Sequence, residues 1–127
     1  MPHGVFTWNE LLTSDVEKAK TFFAETIGWT FTGKPIPLGT YWLAEVDGKP
    51  VAGIMDMKDV TPPGVPPHWI SYLEVDDVDA RVKAVRDHGG QVQREPFDIE
   101  GVGRIALIAD PTGGFMGWMS WAKSPAG

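Results

Sequence analysis

The chain contains no cysteine. Thiol catalysis, cysteine-ligated zinc and a disulfide scaffold are therefore excluded. Positive charge is also scarce. Eleven Lys and Arg stand against seventeen Asp and Glu, a formal net charge of −6, which argues against a nucleic-acid surface, since phosphate binding relies on Lys/Arg patches. No apolar run approaches the roughly 20 residues of a membrane span. Met1-Pro2-His3-Gly4 has no basic stretch leading into an apolar one, so no signal peptide is expected and a cytoplasmic protein without membrane contact is the expectation. Gly101-Val102-Gly103 and Gly113-Gly114 lack the strand–GxxxxGK–helix setting of a phosphate loop. What remains is globular in composition. Of 127 residues, 43% are hydrophobic and 22% charged, enough for one domain that buries roughly two thirds of its unfolded surface without metal or disulfide support.

Val5 to Leu12 opens as a strand, with Phe6, Trp8, Glu10 and Leu12 on one face. Ser14-Asp15-Val16-Glu17 matches a capping box with Ser14 as N-cap. Val16, Ala19, Phe23 and Ile27 then recur at helical spacing, and Gly28 supplies the stop, so residues 15–27 read as a helix with one buried face. Trp29 to Thr32 is rich in strand formers, and Gly33 to Gly39 reads as a loop. Tyr41 to Val46 and Val51 to Met57 form a hairpin around Asp47-Gly48. Four prolines within residues 60–67 mark a stiff linker.

After the linker the order repeats. Trp69 to Val75 is a strand, Asp76 or Asp77 caps a helix running to about His88, and Gly89-Gly90 stops it. Gln91 to Glu95 reads as a short strand. Arg104 to Ala109 and Phe115 to Trp121 are strands joined by Asp110-Pro111-Thr112-Gly113-Gly114. The helix-start residues Asp15 and Asp77 lie 62 positions apart, and Ala52-Gly53-Ile54-Met55 resembles Met116-Gly117-Trp118-Met119 at an offset of 64. Two β-α-β-β-β modules follow, spanning 4–58 and 68–122 around a linker at 59–67, within a single domain over 1–127. The competing reading is a ferredoxin-like α+β sandwich with chance similarity.

Three passages carry a family resemblance. They are Glu10-Leu-Leu-Thr-Ser-Asp15-Val-Glu-Lys-Ala-Lys-Thr-Phe-Phe-Ala-Glu-Thr-Ile-Gly28-Trp29, then Tyr72-Leu-Glu-Val-Asp76-Asp77-Val-Asp-Ala80 with Gly89-Gly90, then Asp110-Pro111-Thr112-Gly113. Together with the repeat they resemble the vicinal oxygen chelate superfamily, the group of glyoxalases, bleomycin resistance proteins and extradiol dioxygenases. The resemblance implies an α+β fold of paired βαβββ modules whose sheets form a cleft, often completed by a homodimer. It also implies a divalent metal held by His, Gln or Glu on the first and last strands of each module. Counting along the family pattern places those ligands at Trp8, Ile70, Gly53 and Gly117. None of these four side chains offers a metal-binding oxygen or nitrogen, so no metal and no other cofactor is expected.

The expected site is then an aromatic cleft for a small organic molecule, lined by Trp8, Glu10, Ile70, Tyr72, Met55 and Met119. The two glycines at ligand positions would leave space there. The alternative is a lyase-, isomerase- or dioxygenase-type enzyme with a shifted site around Glu10 and His68, in which a carboxylate in an apolar cavity acts as a base. Against that stand simpler roles: Glu10 paired with Arg104, His68 as a solvated strand end, Tyr72 as core. His88 is expected to cap its helix C-terminus, and His3 to lie in a mobile end.

Overall fold

A computed structural model describes residues 3–37, 39–58, 60–99 and 101–121. The chain forms two compact units: Trp8–Ile70, and the part from Ser71 onward together with the segment up to Thr7. Each unit has the element order β-α-β-β-β, as the repeat predicts.

The first unit is built from β1 (Val5–Thr13, entering at Trp8), α1 (Val16–Ile27), β2 (Thr30–Ile36), β3 (Gly39–Val46) and β4 (Lys49–Asp56). Its strands lie in the order β2-β3-β4-β1. β1 runs parallel to β4, with Glu10 opposite Gly53 and Leu12 opposite Met55. β3 and β4 are antiparallel around Asp47 and Gly48, whose φ values of 51° and 76° give the left-handed turn that matches strand twist. The expected loop at Gly33 to Ile36 is instead the second half of β2, paired with β3 as far as Ile36 opposite Gly39. Pro35 is accommodated because β2 is the outer strand of this sheet.

Helix α1 departs from expectation at its start and on its face. Asp15, not Ser14, is the N-cap; its carboxylate accepts from the Lys18 N–H at 3.0 Å, and Thr13 Oγ1 accepts from the Asp15 N–H. Both residues are competent caps, and the helix begins at the later one. Gly28 closes it with φ 80° and an N–H bond to the Phe23 carbonyl. No residue of α1 is buried; Phe22 is 58% and Ile27 59% exposed. Its aromatic side chains pack on neighbouring rings instead: Phe23 lies 5.1 Å from Phe22, 5.1 Å from Trp29 and 5.9 Å from Trp69 between centroids.

The second unit holds β5 (His68–Glu74, from Ser71 on), α2 (Val78–Asp87), β6 (Gln91–Ile99), β7 (Gly103–Ala109) and β8 (Phe115–Trp121), in the sheet order β5-β8-β7-β6. Asp77 caps α2 by accepting from the Ala80 N–H. Val78, Val82 and Val85 are buried together with Val75, Ala106 and Ile108, each valine or isoleucine contributing about 1.5–3 kcal/mol. His88 is the C-cap residue, with Nδ1 2.9 Å from the Ala84 carbonyl. β6 continues to Ile99, four residues past the expected end, through two register shifts against β7. His3 is tied down, contrary to expectation: its Nδ1 accepts from the Asp76 N–H at 3.0 Å, and the Gly4 N–H donates to the Glu74 carbonyl. Among the described residues, no helix is long and apolar enough to cross a membrane.

Candidate functional site

Strand pairing in the first unit sets Glu10 of β1 beside Gly53 of β4. Trp8 lies two residues before Glu10, on the same side of β1. The side chain that completes the group comes from β3. The Tyr41 hydroxyl donates to the Glu10 carboxylate and accepts from Trp8 Nε1–H at 2.9 Å. Glu10 is only 5% exposed. Burial lifts the Tyr41 phenol well above its ordinary value of 10.0; the charge of Glu10 and the hydrogen bond to it add to the rise, and the Trp8 hydrogen bond partly opposes it. Tyr41 therefore stays neutral and remains a donor at physiological pH. Arg104, which the sequence offered as a partner for Glu10, is held within its own unit by Asp79 at 2.7 and 3.0 Å and by Asp98 at 3.0 Å.

Gly53 does not leave space. A Cβ built on it would fall on the Tyr41 hydroxyl and ring edge. The second unit repeats the arrangement with its own tyrosine. Tyr72 of β5 stands opposite Gly117 of β8, and a Cβ on Gly117 would fall on the Tyr72 ring. The expectation of vacant volume at the two glycines is thus corrected. Each is covered by one of the chain's two tyrosines.

Two features escaped the sequence. Tyr41 is the first. The second is Glu74 on β5, opposite Met119, which is 5% exposed and whose Oε1 is buried with no hydrogen-bond partner. Tyr72 and Glu74 share one side of β5 by strand alternation. Ile70 and Met119 are each 1% exposed, so they belong to the packed interior. Met55, buried on β4, also lines a groove of about 300 Å³ with Val16, Glu17, Trp42 and Lys58. There the Lys20 ammonium sits 3.0 Å from the Trp42 ring centroid and 3.1 Å from Glu17. His68, at the start of β5, has Nδ1 2.8 Å from the Pro66 carbonyl oxygen.

Residues 5–116 match the Glyoxalase/Bleomycin resistance protein/Dioxygenase superfamily. The chain belongs to this superfamily. Among its relatives is a protein named "Putative glyoxylase CFP32" of Mycobacterium tuberculosis, 42% identical over 116 residues, which cover 90% of this chain and 44% of the relative. Another is the anthracycline biosynthesis protein DnrV of Streptomyces peucetius, 35% identical over 122 residues covering 87% of this chain and 44% of that protein. The chain therefore spans under half the length of these curated relatives. In fold it is similar to the methylmalonyl-CoA epimerase of Mycobacterium tuberculosis, with a TM-score of 0.68 at 16% identity over 99% of this chain and 95% of the epimerase.

A metal centre of the superfamily type does not fit these residues. The positions that the family pattern assigns to ligands are Trp8, Gly53, Ile70 and Gly117. The volume where longer side chains would extend from the two glycines is occupied by phenol rings. Among the described residues, no three His, Asp or Glu side chains come together in a metal-holding group.

Proposed function

We propose that this chain binds a small, planar organic molecule without a metal, and that the Trp8–Tyr41–Glu10 cluster recognises it. One observation carries this reading: tyrosine rings cover the glycines at both last-strand ligand positions. The cluster combines two flat aromatic surfaces with a buried carboxylate and a neutral hydroxyl, the mixture by which apolar pockets orient a ligand through a few polar groups. The relationship to an anthracycline biosynthesis protein favours a polycyclic aromatic ligand. The second reading is an enzyme of lyase, isomerase or dioxygenase type, favoured by the burial of the Glu10 carboxylate and by the relationship to a glyoxylase-named protein. A homodimer is part of the proposal, on family grounds.

Two measurements on the untagged protein test the proposal. After incubation with excess Mn, Fe, Ni, Co or Zn and desalting, elemental analysis is expected to find no stoichiometric metal. Titration with the anthracycline daunorubicin is expected to quench tryptophan fluorescence saturably, with affinity lowered at least tenfold in Trp8→Leu. A stoichiometric metal that disappears in Glu10→Ala or His68→Ala overturns the metal-free reading. Turnover of a glyoxylase-type substrate that is lost in Glu10→Gln establishes the enzyme instead.

A further inference from the structure

Helix α1 turns an uncommon pattern outward. Lys18, Phe22 and Glu25 follow one another at spacings of four and three, so they share one side of the helix, and all three are exposed. At a rise of 1.5 Å per residue, Lys18 and Glu25 stand about 10 Å apart along the axis, with Phe22 between them. Among the described residues, no ion pair engages Lys18 or Glu25. The Phe22 ring meets Phe23 edge-on at 5.1 Å, and Phe23 meets the exposed Trp69 at 5.9 Å. The apolar surface is thus continuous over three rings of the first unit. Contiguous exposed patches mark interaction surfaces, whereas single scattered side chains do not. The pattern is peculiar to α1. At the repeat offset of 62, the corresponding residues of α2 are Ala80, Ala84 and Asp87, with no ring and no pair of opposite charges.

We infer that this face of α1 docks a second copy of the chain, in an antiparallel two-fold arrangement centred beside Phe22. A two-fold interface is self-complementary: where residue i meets residue j, j also meets i. Two crossing α1 helices satisfy that condition. Lys18 of each copy faces the partner's Glu25, so the pair forms twice, and the two Phe22 rings come together near the axis as the apolar anchor. An anionic lipid surface fits less well, because it selects a helix face rich in Lys and Arg, and here Glu25 offsets Lys18. The inference rests on the homodimer of the proposed function and says which face forms it.

Charge reversal tests the inference on exposed residues. Lys18→Glu and Glu25→Lys both suit the helix dipole, with Glu nearer the N-terminus and Lys nearer the C-terminus, so the fold is expected to hold. By sedimentation equilibrium at low salt, the full chain is expected to dimerise. Each single reversal turns both crossings repulsive and should weaken the dimer about tenfold. Mixing the two variants should restore association as a heterodimer, and combining both reversals in one chain should restore the homodimer. Phe22→Ala should weaken the dimer at least tenfold through loss of the central ring. A dimer indifferent to Phe22→Ala and to both reversals overturns this face while leaving the homodimer itself standing. A mixture that associates no better than either variant alone overturns it too. A monomeric wild type overturns both, and its cosedimentation with phosphatidylcholine vesicles would assign the face to a lipid surface. The daunorubicin titration reads the Trp8–Tyr41–Glu10 cluster separately, since none of the substituted residues belongs to it.

Discussion

At the residue scale, two glycines are each covered by a tyrosine. Gly117→Ala puts a methyl group into the Tyr72 ring and is expected to destabilise the fold by about 1–3 kcal/mol, read from urea midpoints at unchanged slope. Tyr41→Phe removes a hydrogen bond to a buried carboxylate, a loss of about 1.5–3 kcal/mol at neutral pH. Because the folded Tyr41 is raised above 10.0, its contribution is whole below that pH. It falls as the pH rises further, since the unfolded phenol ionises first. Tyr41→Phe should therefore flatten the alkaline limb of a stability–pH curve measured from pH 8 to 11. Trp8 and the glycine positions were legible from counting along the family pattern, and Glu10 from strand alternation two residues after Trp8. Tyr41 was not, because its approach to Gly53 depends on cross-strand geometry. The residue directly opposite Gly53 on β3 is Leu43, and Tyr41 reaches over diagonally. Glu74 escaped for a related reason: sequence alternation does not tell a covered carboxylate from a solvated one.

At the element scale, the two helices carry similar patterns and have different fates. α2 buries three valines against its sheet, while α1 buries none and leaves Phe22 and Ile27 open. Amide hydrogen exchange is expected to be faster across residues 19–27 than across 81–87, since α1 buries no side chain fully while α2 buries three valines. Equal protection of the two helices would contradict this. At the start of α1, Asp15→Ala should cost about 1 kcal/mol and Ser14→Ala a few tenths, in line with the observed cap. Helical periodicity fixed which side of α1 is apolar; it holds no information on whether a sheet meets that side. The edge position of β2 was hidden likewise, because Gly33 and Pro35 resemble a loop until β3 pairs with them.

At the scale of the whole molecule, the repeat was legible before any coordinates. Its offsets of 62 and 64 residues correspond to two units of the same element order. Function was less legible because the resemblance rests on turns and helix starts, whereas the strand positions that the family pattern assigns to ligands hold Trp8, Gly53, Ile70 and Gly117 here. Acid stability is also a property of the whole chain. Asp76 is held below its ordinary value of 3.8 chiefly by its Arg81 hydrogen bonds, Asp79 by those from Arg104, and Asp110 by Thr112 and then by the Gly114 N–H. Lowered carboxylates contribute stability above pH 3.8 that is lost as the pH falls through their folded values. The thermal midpoint should therefore drop below pH 4. Asp79→Asn should lessen that drop, with added salt reducing the effect because these groups are exposed.

The pairing of each glycine with a tyrosine has a consequence for redesign. A longer side chain at position 117 alone is driven into an aromatic ring, and shrinking Tyr72 alone opens a hole in the interior. A new side chain at 117 therefore calls for a compensating change at 72, so the two positions are best altered as a pair.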